Sequence, residues 1–388
     1  MVQLEELGLL KMDFLGLRTL TVIRDALNLI EKNHNGKIDF SKMDYDDPKV
    51  FELLSSGNTL GVFQLESAGM RVFMKQLKPD NFEDIVAGIS LYRPGPMDSI
   101  PTYIENKTNP QNVTYLHEKL KPIMEVTYGC LVYQEQVMQV VRELGGYTYG
   151  RSDLVRRAMG KKKMDVMEEE RRYFVYGKED ENGNIEIAGC IRNGVPEDIA
   201  NKIFDDMIDF AKYAFNKSHA AAYGVLSYQT AYLKAYYPVE FMAALITSVM
   251  GNTDKVVEYI RECNALGIEV LKPDINKSFS KFSVEGNNIR FGLAAVKNVG
   301  VNIIENIINE RNLNGEFVDF SDLAKRLDSK DTNKRVIESL IKCGAFDEIS
   351  ENRASLMAGY ENVLDSISMD RKKNVQGQIS LFDVFGAS

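Results

Sequence analysis

Phe215-Asn216-Lys217-Ser218-His219 stands directly before a helical run predicted over 219–236, and its reading sets the character of the chain around it. Ser218 is the natural N-cap, because a serine hydroxyl accepts from a backbone N–H of the first turn. A helix that starts here presents free amides and the positive end of its dipole, a setting that suits an anion, and Lys217 and His219 add donors to it. Ordinary capping beside a core-facing histidine is the competing reading. Tyr223, Tyr228, Tyr232, Tyr236 and Tyr237 follow at partly helical spacing, and they read as packing before they read as a stack for bases.

The same alternation of helix and punctuator extends in both directions. Helices are predicted over 47–55, 66–77, 117–124, 133–144, 151–159, 164–176, 196–213, 238–250 and 253–266, with Arg93-Pro94-Gly95-Pro96 and Gly145-Gly146 among the breaks. Near the start, Leu7 to Leu17 reads as a short buried strand meeting a turn. A helix over 20–32 follows and ends at Asn33-His34-Asn35-Gly36. Glu179 to Ile187 reads as a small hairpin or a loop. Beyond Leu271-Lys272-Pro273-Asp274 come β-like runs at 280–284 and 288–292, then helical pairs at 294–311 and 320–343. From about 369 the chain is polar and flexible in character, apart from one apolar cluster.

The 388 residues suffice for two or three domains, and 44% hydrophobic with 27% charged residues is ordinary globular usage. No apolar run reaches the roughly 18 residues of a membrane helix. Cys130, Cys190, Cys263 and Cys343 are far apart and form no CxxC pair, which argues against disulfides and cysteine zinc sites and fits a reducing cytoplasm. The net charge of −9 speaks against a uniformly basic binding face. Charge is nevertheless sorted along the chain. Arg151, Arg156, Arg157, Lys161, Lys162 and Lys163 with Asp153 make a local +5, and a mostly acidic stretch follows from Asp165 to Glu170.

Six stretches could carry chemistry. Asp13 lies among apolar residues, where a carboxylate needs a partner. It is either a capping aspartate at a turn or one ligand of a metal site whose other carboxylates lie elsewhere. Tyr92-Arg93-Pro94-Gly95-Pro96 holds one arginine on a stiffened turn, as an anion contact or as a plain connector. Arg156-Arg157 followed by Gly160-Lys161-Lys162-Lys163 gathers donors around one point, and arginine forks grip phosphate with paired hydrogen bonds. A solvated basic surface is the alternative. Tyr133-Gln134-Glu135-Gln136 opens a helix with an exposed polar triplet, to meet a nucleotide edge or to cap. Around Lys297-Asn298-Val299-Gly300 an apolar helix runs into a tight turn and a second helix. Such a hairpin can hold a DNA phosphate on its amides, although Asn298 stands where a glycine is preferred. A weaker second hairpin falls over 336–347. Last, Gln378-Ile379-Ser380-Leu381-Phe382 has the form of a docking peptide with apolar anchors.

In this order, and over nearly the whole chain, these stretches resemble one family: the alpha subunit of bacterial DNA polymerase III, of the DnaE type. Lys11 to Arg18 resembles its third palm motif. Gly61-Val62-Phe63-Gln64-Leu65-Glu66-Ser67, Tyr92 to Met97, Tyr133 to Met138, Arg156 to Lys163 and Phe215 to Ala221 resemble its fingers signatures. Phe291 to Gly300 and Leu340 to Asp347 resemble its tandem helix-hairpin-helix region, and Gln378 to Phe382 its clamp-binding pentapeptide.

The resemblance implies a mainly α fold with minor β elements from the palm remnant and the 280–292 region. It implies a palm remnant with a connecting helix over 1–45, fingers over 46–270, a tandem helix-hairpin-helix domain over 271–368 and a flexible clamp-binding tail over 369–388. It implies a nucleotidyltransferase that extends primers with two Mg²⁺ ions, Asp13 being the catalytic carboxylate and metal ligand. Arg156, Arg157, Lys161, Lys217, His219 and Arg93 would meet the deoxynucleoside triphosphate. Lys162, Lys163, Lys297, Asn298 and Gly300 would meet primer-template DNA. Gln378, Ile379, Ser380, Leu381 and Phe382 would dock on the sliding clamp, the beta subunit, among other replisome subunits and with no membrane. A closely spaced upstream Asp-x-Asp of that pattern is absent, so this polypeptide alone is expected not to polymerise. A non-catalytic DNA-binding and clamp-tethering module is the alternative. A metabolic nucleotide enzyme would need a P-loop or dinucleotide fingerprint, and neither is present.

Overall fold

In the computed structural model the described residues are Leu4, 6–10, Met12, 16–160, 164–211, 213–328, 330–350 and 352–373. They fall into two compact units, Asp39–Ala235 and Met1–Ile38 with Tyr236–Ser388. The division falls at 38/39 and 235/236. The reason is local to the second unit: the helix Arg18–His34 packs its buried Val22, Ile23, Ala26 and Ile30 within that unit, where it lies against the helix Pro238–Ser248.

In Asp39–Ala235 the helices start where short polar side chains can accept from first-turn amides. Asp47, Ser67 and Asn81 cap Pro48–Ser56, Ala68–Leu77 and Phe82–Leu91 in this way. Two apolar clusters hold the unit. One gathers Val50, Leu54, Met74, Ile85, Tyr103, Tyr133 and Tyr228. The other gathers Val137, Val141, Leu144, Phe174, Phe204 and Met207. Tyr133 belongs to the first and Val137 to the second, so the start of the helix Gln134–Gly145 is fixed by both. The basic helix Tyr149–Gly160 packs on it. Residues Lys178–Glu179 and Ile185–Ile187 form an antiparallel hairpin, its turn closed by Asp180, which accepts from the amides of Asn182 and Asn184 at 2.8 Å each.

In the second unit Val270–Leu271 pairs parallel to Asn288–Arg290, and Ser283–Glu285 pairs antiparallel to the same strand. The helices Val301–Asn314, Phe320–Arg326, Lys334–Lys342 and Arg353–Lys373 follow around Ile304, Ile307, Leu323, Ile337, Leu340 and Phe346. Three expectations change here. The predicted helix from 294 is only a single 3-10 turn, Leu293–Ala295. The last helix runs to Lys373, past the tail boundary expected at 369. The described part of Leu7 to Leu17 forms no strand: Leu7-Gly8 is a turn, and Leu7, Leu9, Leu10 and Met12 are exposed, with no strand paired to them among the described residues. The mainly α fold with small sheets is as expected, and all four cysteines are free. Among the described residues no helix is long and apolar enough to cross a membrane.

Candidate functional site

The site forms where two helices begin side by side. The residues just ahead of them, Tyr133 and Phe215, meet in an isolated parallel β-bridge. The Gln134 amide donates to the Phe215 carbonyl at 2.8 Å, and the Phe215 amide donates to that of Val132 at 3.4 Å. The bridge places the N-termini of Gln134–Gly145 and Lys217–Tyr236 together, so two positive dipole ends share one place.

Cationic side chains collect around the bridge. Arg156 donates from Nη1 to Gln134 Oε1 at 2.9 Å, and from Nε and Nη2 to Asp153 Oδ1 at 2.9 and 2.7 Å. Arg157, largely exposed, pairs with the other Asp153 oxygen at 2.7 Å. The hydrogen bond from Arg156 holds the Asp153 carboxyl below its ordinary pKa, with Arg157 adding to the effect. Lys217 pairs with Glu83 at 3.0 Å and lies 5.2 Å from the Tyr133 ring centre. The Arg93 guanidinium covers the Phe215 ring at 4.5 Å. Its turn leans on the same loop: Gly95 has φ +104, and a Cβ there would come within 2.2 Å of the Tyr213 ring. His219 is exposed and contacts Phe215 and Tyr223 at 5.5 and 4.2 Å between ring centres. Tyr223 in turn meets Phe63 of the Gly61–Ser67 stretch at 5.2 Å. Four of the expected nucleotide contacts, Arg93, Arg156, Lys217 and His219, are thus tied to one bridge, and Arg157 is on its edge.

The capping differs from expectation. The helix begins at Lys217, and Asn216, not Ser218, is its cap: Asn216 Oδ1 accepts from the His219 amide at 2.8 Å. Starting two residues earlier leaves Ser218 exposed inside the first turn. The Gln-Glu-Gln triplet is not uniformly exposed either. Gln136 is buried, where its Oε1 accepts from the amides of Val132 and Tyr133 at 2.8 and 2.9 Å. Its Nε2 donates to the Ile123 carbonyl and Thr127 Oγ1. Gln134 ties Arg156 to the neighbouring loop, donating from Nε2 to the Ala214 carbonyl at 3.1 Å. Glu135 accepts from the Lys217 amide and from Asn216 Nδ2, each at 2.9 Å.

Beneath the site a buried charge group stiffens the helix that carries Glu83. Asp84 pairs with Lys107 at 2.9 Å, and burial raises its pKa although the ammonium opposes the shift. Tyr133 is buried too, which raises its pKa, with Glu83 and Asp84 adding to the rise, so the phenol stays neutral. Sequence reasoning missed Glu83 and Asp153 as partners, and only Asp153, three and four residues before the two arginines, had a local signal. The predicted tyrosine packing holds for Tyr228, which is fully buried and accepts from the Asp47 amide at 2.7 Å.

The other expected contacts divide in two. Asp13, Lys161, Lys162, Lys163 and Gln378, Ile379, Ser380, Leu381 and Phe382 lie outside the described residues. Lys297, Asn298 and Gly300 form an exposed turn. Asn298 adopts φ 69, and Gly300 precedes the helix Val301–Asn314 as its cap residue. Within that helix's first turn the Ile303 amide donates to the Gly300 carbonyl at 3.1 Å, and helix geometry gives the two amides ahead of it no intrahelical acceptor.

The comparisons agree with this architecture. Residues 19–182 match the family model for the bacterial DNA polymerase III alpha subunit finger domain, and residues 267–356 match a helix-hairpin-helix motif. A Thermus aquaticus protein named DNA polymerase III subunit alpha is 49% identical over 97% of this chain and 30% of its own length. Proteins of the same name from Bacillus subtilis and Borreliella burgdorferi are 47% and 45% identical over 94% and 98% of the chain, and the match covers 32% of each. The chain spans about a third of the length of these curated relatives. The chain thus carries a bacterial DNA polymerase III alpha subunit finger-domain match and a helix-hairpin-helix match, and along nearly all its length it is similar to about a third of the length of proteins named DNA polymerase III subunit alpha.

Proposed function

We propose that the chain is the part of a replicative DNA polymerase that grips the incoming deoxynucleoside triphosphate. The observation that carries this reading is the Tyr133–Phe215 bridge, which brings two helix N-termini, Arg93, Arg156, Lys217 and His219 to one place. Positive dipole ends and guanidinium forks suit a polyphosphate. Arg157 and Lys161 extend the same grip, while His219 and Tyr223 offer ring faces near it. Lys162 and Lys163 meet the DNA backbone. The turn Lys297-Asn298-Val299-Gly300 meets a duplex phosphate through its exposed residues Lys297, Asn298 and Gly300, without reading sequence. The peptide Gln378 to Phe382 docks on the sliding clamp, and tethering then raises the local concentration of the enzyme at the primer end.

Mg²⁺ would supply charge neutralisation and activation of the primer hydroxyl. Its proposed ligand here, Asp13, lies outside the described residues, and among those described no group of three or more His, Cys, Asp or Glu side chains is arranged to hold a metal. On this reading the chain's own part is to bind and orient the triphosphate. We expect the purified chain to extend primers no better than buffer, and extension above that level would refute this.

The arginines provide the test. Arg156→Ala and Arg157→Ala should weaken nucleotide binding by roughly ten- to a hundredfold, the range of a lost hydrogen bond to a charged group. Duplex binding should barely change. If duplex binding weakens instead and its salt slope flattens, the arginines are DNA-backbone contacts and the tethering-module reading takes over.

A further inference from the structure

We propose that Glu135 is a charge placeholder in the nucleotide site: its carboxylate takes the helix-start amide that a phosphate oxygen would otherwise take, and it thereby sets how tightly the polyphosphate is held. This rests on the reading of the site given above.

Glu135 stands in the first turn of Gln134–Gly145, yet its hydrogen bonds go to the start of the other helix, more than 80 residues away in sequence. Oε2 accepts from the Lys217 amide and Oε1 from the Asn216 side chain, each at 2.9 Å. One half-buried carboxylate, itself in the first turn of one helix, thus closes the start of the other. An anionic oxygen in that position is what such a pair of dipole ends favours. The cations nearby are matched in the same way. Lys217 is held by Glu83, and Arg156 and Arg157 by Asp153. Three carboxylates, Glu83, Glu135 and Asp153, thus stand among the cations Arg93, Arg156, Arg157 and Lys217 and offset most of their charge.

The three acids are not equivalent. Glu83 and Asp153 hold long cationic side chains, which can swing to a phosphate and remain paired. Glu135 holds a backbone N–H, which cannot swing. A phosphate that takes the Lys217 amide must displace the Glu135 carboxylate or lie against it. Glu135 therefore opposes binding, and its return favours release of a polyphosphate product. It acts through the helix terminus and through charge, so it is a positioning residue.

The test is calorimetric titration of the full 388-residue chain with inorganic triphosphate in metal-free buffer, and with a deoxynucleoside triphosphate, comparing wild type with Glu135→Gln, Glu135→Ala and Arg156→Ala. Glu135→Gln keeps an acceptor for the Lys217 amide and removes the charge. It should bind inorganic triphosphate on the order of tenfold tighter, from the like-charge repulsion removed at short range, with an unchanged melting temperature. Glu135→Ala should also bind tighter while melting lower. If Glu135→Gln binds no tighter than wild type while Arg156→Ala binds more weakly, the site reading stands and Glu135 is only a cap. If Arg156→Ala binds like wild type, or if neither wild type nor Glu135→Gln binds triphosphate, the site reading falls and the placeholder falls with it.

Discussion

Asn298 sits at φ 69, in the left-handed region that few side chains enter without cost. Asparagine is among the few that do, so a hairpin that prefers glycine here keeps its turn. The Asn298 side chain also donates to Ser339 Oγ at 3.3 Å. Two consequences follow from the backbone alone. Asn298→Gly should leave unfolding free energy within about 0.5 kcal/mol, while Asn298→Val, β-branched at positive φ, should cost about 1–3 kcal/mol. Urea melts of the two variants check this, and equal stability would mean that the turn relaxes out of the left-handed region. The same scale explains what a residue's type leaves open. Gln134, Glu135 and Gln136 are adjacent and chemically alike, yet one clamps Arg156, one reaches the Lys217 amide and one is buried. Only the positions of Val137, Val140 and Val141 on the inner face hint that Gln136 turns inward with them.

At the level of elements, legibility followed amphipathicity. Helices with a polar and an apolar side, such as Gln134–Gly145, Glu197–Ala211 and Thr253–Ala265, start and stop within two residues of expectation. Phe82–Leu91 was not expected, because every residue from Asp84 to Leu91 is buried and a helix covered all round shows no stripe. Ile100–Thr108 opens with Pro101 at its start and is closed by Asn109-Pro110, so its flanks read as loop. The exposed apolar residues near the start read as a buried strand because a short apolar run reports only a preference, and pairing partners decide. The site itself was half legible. The basic and aromatic residues announce themselves by type. The Tyr133–Phe215 bridge, which joins stretches 82 residues apart, has no local signature.

At the scale of the molecule the order of the motifs carried the family, and the division into units did not follow from it. Arg18–His34 packs with Pro238–Ser248, an association across some 200 residues that no window of sequence displays. The central claim concerns the unit Asp39–Ala235: its bridge and cations form one triphosphate-binding place. Photo-crosslinking of the full chain with an azido-deoxynucleoside triphosphate, followed by peptide mapping, tests it most directly. Label that an excess of unmodified triphosphate removes is expected in peptides holding Tyr133 to Gln136, Arg156 and Arg157, or Tyr213 to His219. Competed label confined to residues 271–368, or no competed label at all, would contradict it.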